Sequence, residues 1–129
     1  MDMRPARGTL VGWDELELEK VTELISRKVV EGDRVRLAQV YLKRGALVPL
    51  HAHDGEQMTY VLDGLLKVRM AGAEVLVRDG EVVRVPSGVP HQIEALADTF
   101  QIDLLAPTRE DTNLASGPGR PSRRARDRR

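Results

Sequence analysis

Apolar residues in this chain fall into short runs, cut at intervals by glycine, proline and aspartate. The runs are Val21–Val30, Arg34–Leu42, Gln57–Leu62, Leu65–Met70, Ala73–Val77, Glu81–Val85, His91–Leu96 and Thr99–Leu105. Breaks fall at Glu31-Gly32-Asp33, Gly45, Asp63-Gly64, Ala71-Gly72, Asp79-Gly80 and Pro86-Ser87-Gly88. Runs of this length bounded by turn residues predict β-strands, and the two Asp-Gly breaks predict hairpins. Pro49, Pro86 and Pro90 are expected at strand entrances, where a missing N–H costs little. Trp13-Asp14-Glu15-Leu16 reads as a turn or a short helix. The expected fold is all-β: a single-domain antiparallel β-barrel.

The length of 129 residues suits one domain with its own core. Residues 1–20 are expected to be an N-terminal extension, 21–107 the barrel, and 108–129 a C-terminal segment. From Gly117 the composition is Arg, Pro, Gly and Ser, which cannot bury enough surface to order itself, so a disordered tail is expected. Aromatic residues make up only 3% of the chain, so Val, Leu and Ala must fill the interior. The absence of cysteine excludes a disulfide framework and a thiolate metal site.

Formal charge sums to zero, yet residues 117–129 hold six Arg and one Asp, leaving the tail at +5 and the remainder at −5. An arginine-rich end without interleaved aromatics is expected to solubilise rather than to bind nucleic acid. Residues 1–8 contain no apolar signal-type core, and no apolar stretch approaches the roughly 20 residues that span a bilayer. A cytoplasmic protein with no membrane partner is expected.

The candidate chemistry lies in the three histidines of the chain. His51 and His53 flank Ala52, Gln57 follows, and His91 opens a later run behind Pro90. Side chains on a strand alternate faces, so the even offsets of His51, His53 and Gln57 place them on one face and send Glu56 away from it. Thr59 and Val61 share the face of Gln57, and Ile93 and Ala95 that of His91. The wall is therefore mainly apolar with a few polar groups, as in a small-molecule site. Imidazole is the commonest protein metal ligand, so His51, His53, Gln57 and His91 are the candidate ligands of one divalent transition metal ion. Fe, Mn, Ni, Zn and Cu all suit such a set. Three neutral imidazoles and a neutral amide leave the ion its full charge, which favours Lewis-acid chemistry on an oxyanion or enolate.

These residues resemble the two motifs of the cupin superfamily, G-x5-H-x-H-x3-E-x6-G and G-x5-P-x-G-x2-H-x3-N. Gly45, His51, His53, Gly64, Gly80, Pro86, Gly88 and His91 match, while Gln57 replaces the usual Glu and Ala95 the usual Asn. The resemblance implies a jelly-roll barrel that pairs as a homodimer. Cupins include isomerases, lyases, dioxygenases and non-catalytic binding domains, so all of these remain open.

The segment Ile102–Asp111 resembles the end of small cupins that ketonise unsaturated uronates from pectin and alginate breakdown, whose pattern is Asp-x-Phe-x-Pro-x-Arg-x-Asp. Asp103, Pro107, Arg109 and Asp111 match, and Leu105 replaces Phe. Gln101, Asp103 and Leu105 alternate with Phe100, Ile102 and Leu104. If the apolar set packs outward between sheets, Asp103 faces the lumen, where a carboxylate near an enol can move a proton between carbon and oxygen. Arg27, Arg36 and Arg109 are each able to clamp a substrate carboxylate. Arg109 is the favoured one, and the other two are expected as solvated strand-face charges. The leading expectation is a metal-dependent isomerase or lyase on a small oxygenated substrate such as an unsaturated uronate, with Asp103 and Arg109 as catalytic residues. An iron-dependent dioxygenase and a non-catalytic small-molecule sensor are the alternatives.

Overall fold

Residues 8–108 are described by a computed structural model, in which they pair into ten β-strands forming two antiparallel sheets. The strands are β1 (Glu19–Lys20), β2 (Ile25–Glu31), β3 (Arg36–Leu42), β4 (Leu47–His51), β5 (Glu56–Asp63), β6 (Leu65–Met70), β7 (Ala73–Arg78), β8 (Val82–Val85), β9 (His91–Ala95) and β10 (Thr99–Ala106). One sheet runs β1-β2-β3-β10-β5-β8 and the other β4-β9-β6-β7. A 3-10 turn at Trp13–Glu15 precedes them. The expected all-β, antiparallel arrangement is thus present as two sheets that share one core.

Alternation builds that core. On β3, Ala38, Val40 and Leu42 are buried while Tyr41 is exposed; on β9, His91, Ile93 and Ala95 are all buried. Val61 and Val83 from the larger sheet meet Leu66, Val68 and Val77 from the smaller one. Removing each such side chain from water contributes about 1.5–3 kcal/mol. Val, Leu, Ile and Ala do fill the interior, and β-branched residues suit the pleated surface.

Neither Asp-Gly break is a hairpin. Asp63-Gly64 joins β5 to β6 and Asp79-Gly80 joins β7 to β8, and each connection passes from one sheet to the other. Local turn chemistry would pair β5 with β6, but β5 pairs β10 and β8 instead, which buries Thr59 and Val61. The two breaks hold each other: Gly64 N donates to Asp79 Oδ1 at 2.7 Å, and Gly80 N donates to Val61 O at 2.8 Å. Gly64 has φ of 130°, and a Cβ there would overlap both the side chain and the backbone of Thr99. The tight two-residue hairpin is Ala71-Gly72, between β6 and β7, with φ of 52° and 75°, the positive pair of a type I′ turn.

Two further expectations are corrected. Pro49 lies inside β4 rather than at its entrance; β4 is an edge strand, and its pairing with β9 is irregular between Val48 and His51, so the missing N–H breaks no regular ladder. Phe100, Ile102 and Leu104 do point away from the lumen, but onto the outer face of the six-stranded sheet rather than between sheets. There the Phe100 ring stacks on Tyr41 with centroids 4.8 Å apart.

Candidate metal centre

The histidines converge although they do not share a strand. His51 ends β4 in the four-stranded sheet, Gln57 belongs to β5 in the six-stranded sheet, and His53 lies on the link between them. The face argument from even offsets therefore fails as a mechanism; the residues meet because the chain crosses between sheets there. β9 brings His91 opposite His51 in register. The link is clasped by the Pro86-Ser87-Gly88 turn, where Gly88 N donates to His53 O at 2.8 Å and Ser87 Oγ donates to Asp54 O. Ring centroids lie 4.3 Å apart for His51–His91, 4.9 Å for His53–His91 and 5.4 Å for His51–His53. One nitrogen from each ring falls within 4.8 Å of the others.

Each Nδ1 sits 2.9 Å from a backbone carbonyl two residues away: Pro49 O for His51, Gly55 O for His53 and Val89 O for His91. A carbonyl only accepts, so each ring keeps its proton on Nδ1 and turns an Nε2 lone pair inward. His91 Nε2 is buried and has no hydrogen-bond partner. His53 Nε2 lies 3.1 Å from Gln57 Oε1. A neutral imidazole has one N–H and cannot donate both to Gly55 O and to Gln57 Oε1. With the proton on Nδ1, two acceptors face each other, an arrangement a cation between them relieves. Burial lowers the His51 and His91 pKa values, the latter to about 4, against the opposing pull of their carbonyl bonds. The donor set is thus convergent, turns lone pairs inward and is short of a positive partner, which fits a divalent ion.

A cavity of about 270 Å³ opens on these groups. Gln57, Gln101, Asp103 and Leu105 line it from the larger sheet, with Val48 and Ile93 from the smaller. Asp103 hydrogen-bonds to none of the histidines. Its Oδ1 accepts from Thr59 Oγ1 at 2.7 Å, and Thr59 Oγ1 accepts from Gln57 Nε2 at 2.9 Å. Gln101 Nε2 donates to both Asp103 oxygens, at 3.0 and 3.3 Å. Burial raises the Asp103 pKa, and the bonds from Thr59 and Gln101 oppose that rise. Glu56 points the other way and pairs with Arg84 at 2.8 Å. Arg109 lies outside the described residues.

Arg27 and Arg36 also line the cavity, contrary to the expectation of solvated charges. Each has a cross-strand carboxylate: Glu19 at 3.0 Å for Arg27 and Glu31 at 3.1 Å for Arg36. Burial pulls the Arg36 pKa down to about 10, with Glu31 opposing. The signal that finds them is parity: Arg27 shares a face with Ile25, and Arg36 with Ala38 and Val40, which are buried.

Residues 38–106 match the cupin-domain family model. Among solved structures, KdgF from Halomonas sp. is similar with TM-score 0.74 and 28% identity, covering 81% of this chain and 97% of that one. An RmlC-like cupin from Shewanella frigidimarina has TM-score 0.74 at 23% identity, covering 81% of this chain and 95% of that one, and shows the fold alone. A 3-hydroxyanthranilate 3,4-dioxygenase from Bos taurus is 40% identical over 53 residues, which are 38% of this chain. The match spans only 18% of that relative's length.

Proposed function

The chain belongs to the cupin family, and from that premise we propose a metal-dependent enzyme of isomerase or lyase type acting on a small oxygenated substrate. Its two sheets are read as the family's jelly-roll barrel, with one divalent transition metal ion on His51, His53, Gln57 and His91. The observation that carries this is the facing pair of acceptors, His53 Nε2 and Gln57 Oε1, 3.1 Å apart beside the unpartnered His91 Nε2. A divalent ion there supplies Lewis acidity to substrate oxygens. Asp103, its pKa raised by burial, is the proton carrier. For an unsaturated uronate, ketonisation breaks the enol O–H bond and forms a C–H bond at the neighbouring carbon, while the C=C bond becomes single and the enol C–O bond becomes C=O. One proton moves, with no change in redox state. Arg27 and Arg36 on the wall, and Arg109 as the sequence resemblance implies, offer N–H groups to the uronate carboxylate.

Elemental analysis of the untagged protein tests the centre. Near-stoichiometric metal is expected, lost in His51→Ala/His91→Ala with the β-rich circular dichroism retained. Turnover of an unsaturated uronate, followed by loss of its enol absorbance, is then expected to fall about 10²–10⁴-fold in Asp103→Asn. Metal without turnover on any such substrate counts against the isomerase. The match to a dioxygenase supports a second reading, iron-dependent dioxygenation, for which oxygen uptake only with Fe(II) is the discriminating result.

A further inference from the structure

A glutamine offers either end of its amide to a neighbour, and only the oxygen is a useful metal ligand. What turns the oxygen of Gln57 toward the histidines can be followed bond by bond. The chain of contacts runs Gln57 Nε2 to Thr59 Oγ1 at 2.9 Å, then Thr59 Oγ1 to Asp103 Oδ1 at 2.7 Å. Oδ1 is an acceptor: it receives Thr59 Oγ1 and also Gln101 Nε2, the latter at 3.0 Å. The single Thr59 proton is therefore directed to Asp103. Only lone pairs remain on Thr59 Oγ1 for Gln57, so the amide must present its NH₂ there and its oxygen to the histidines. Thr59 is fully buried, and no water competes for its hydroxyl.

We propose that Thr59 is the positioning residue that selects the oxygen of Gln57 as the fourth donor of the centre, its own hydroxyl being committed to Asp103. This rests on the assignment of His51, His53, Gln57 and His91 as a metal site. It also accounts for an amide at position 57. A glutamate there has no N–H to give Thr59, and the hydroxyl could satisfy it only by leaving Asp103. Asp103 thus has a second role, holding the orienting hydroxyl without a hydrogen bond of its own to any candidate ligand.

The test uses metal-stripped full-length protein titrated with Co(II), reading affinity by competition with a chelator and ligand field from the visible d–d bands. Orienting partners of metal ligands typically affect affinity by about 10–100-fold. Thr59→Val is expected to weaken Co(II) by that factor and to shift the spectrum to that of Gln57→Ala, while Thr59→Ser restores both. Should Thr59→Val not fold, Thr59→Ala carries the same comparison. A Thr59→Val protein with wild-type affinity and spectrum, beside a Gln57→Ala protein that differs in both, overturns the proposal and leaves the metal site standing. Wild-type protein that binds no Co(II), or Gln57→Ala indistinguishable from wild type, overturns the proposal together with the ligand assignment beneath it.

Discussion

His91 is fully buried, and its lowered pKa has a direct consequence for stability in the metal-free protein. Above the ordinary value of 6.5 the ring is neutral folded or unfolded and nothing is lost. As pH falls from 6.5 to about 4, the unfolded chain takes up a proton that the folded chain refuses, so folding stability declines across that window. Asp103 acts in the opposite sense, because its raised pKa makes the folded state the better proton binder. Urea midpoints of metal-free wild type and His91→Asn between pH 7 and 4 separate the two. The wild type is expected to lose stability more steeply on acidification, and parallel curves would falsify the assignment. At this scale the convergence of the candidate donors was legible because all three histidines of the chain fall on motif positions and Gln57 lies close by. Thr59 was visible only as a neighbour of Gln57 on its face. Its link to Asp103 depends on β5 pairing β10 in a register no local pattern specifies.

Eight of the ten strands were legible as elements, since apolar runs and turn residues carry that information locally, while β1 and β4 match none of the runs. Their partners were not. Asp63-Gly64 and Asp79-Gly80 have hairpin chemistry, yet burial of the faces of β5 and β6 in a shared core decides that each turn changes sheet. Gly64 carries that corner. In Gly64→Ala, left-handed backbone strain adds to overlap with Thr99, for an expected loss of about 2–5 kcal/mol. Gly72 also has positive φ, but a Cβ there meets nothing within 4 Å, so Gly72→Ala should lose only about 1–2 kcal/mol. Denaturant midpoints compare the two, and equal losses would show that the corner is not tightly packed. The arginines illustrate the same limit: pairing places Arg27 and Arg36 on the cavity face, whereas charge alone suggests solvent.

For the whole molecule, the outer face of the six-stranded sheet stands out. Tyr41, Met58, Tyr60, Leu62, Val82 and Leu104 are exposed there, around the half-buried Phe100 and Ile102. A contiguous apolar face of this kind marks an interaction surface, and the expected homodimer has a surface to use. Light scattering should give twice the monomer mass for wild type and the monomer mass for Leu104→Glu, with metal content unchanged. A monomeric wild type removes the dimer. No helix among the described residues is long and apolar enough to cross a membrane. The division of the donor set between two sheets has a last consequence, for the order of events in the life of the chain. A newly made polypeptide offers only the close pair His51 and His53, and His91 joins them after β9 has found β4. On the proposed assignment, the full donor set would therefore meet an ion only once the two sheets have formed. Its selection would then fall to an assembled cluster of histidines, reached past the exposed ring of His51, rather than to the preferences of a loose peptide.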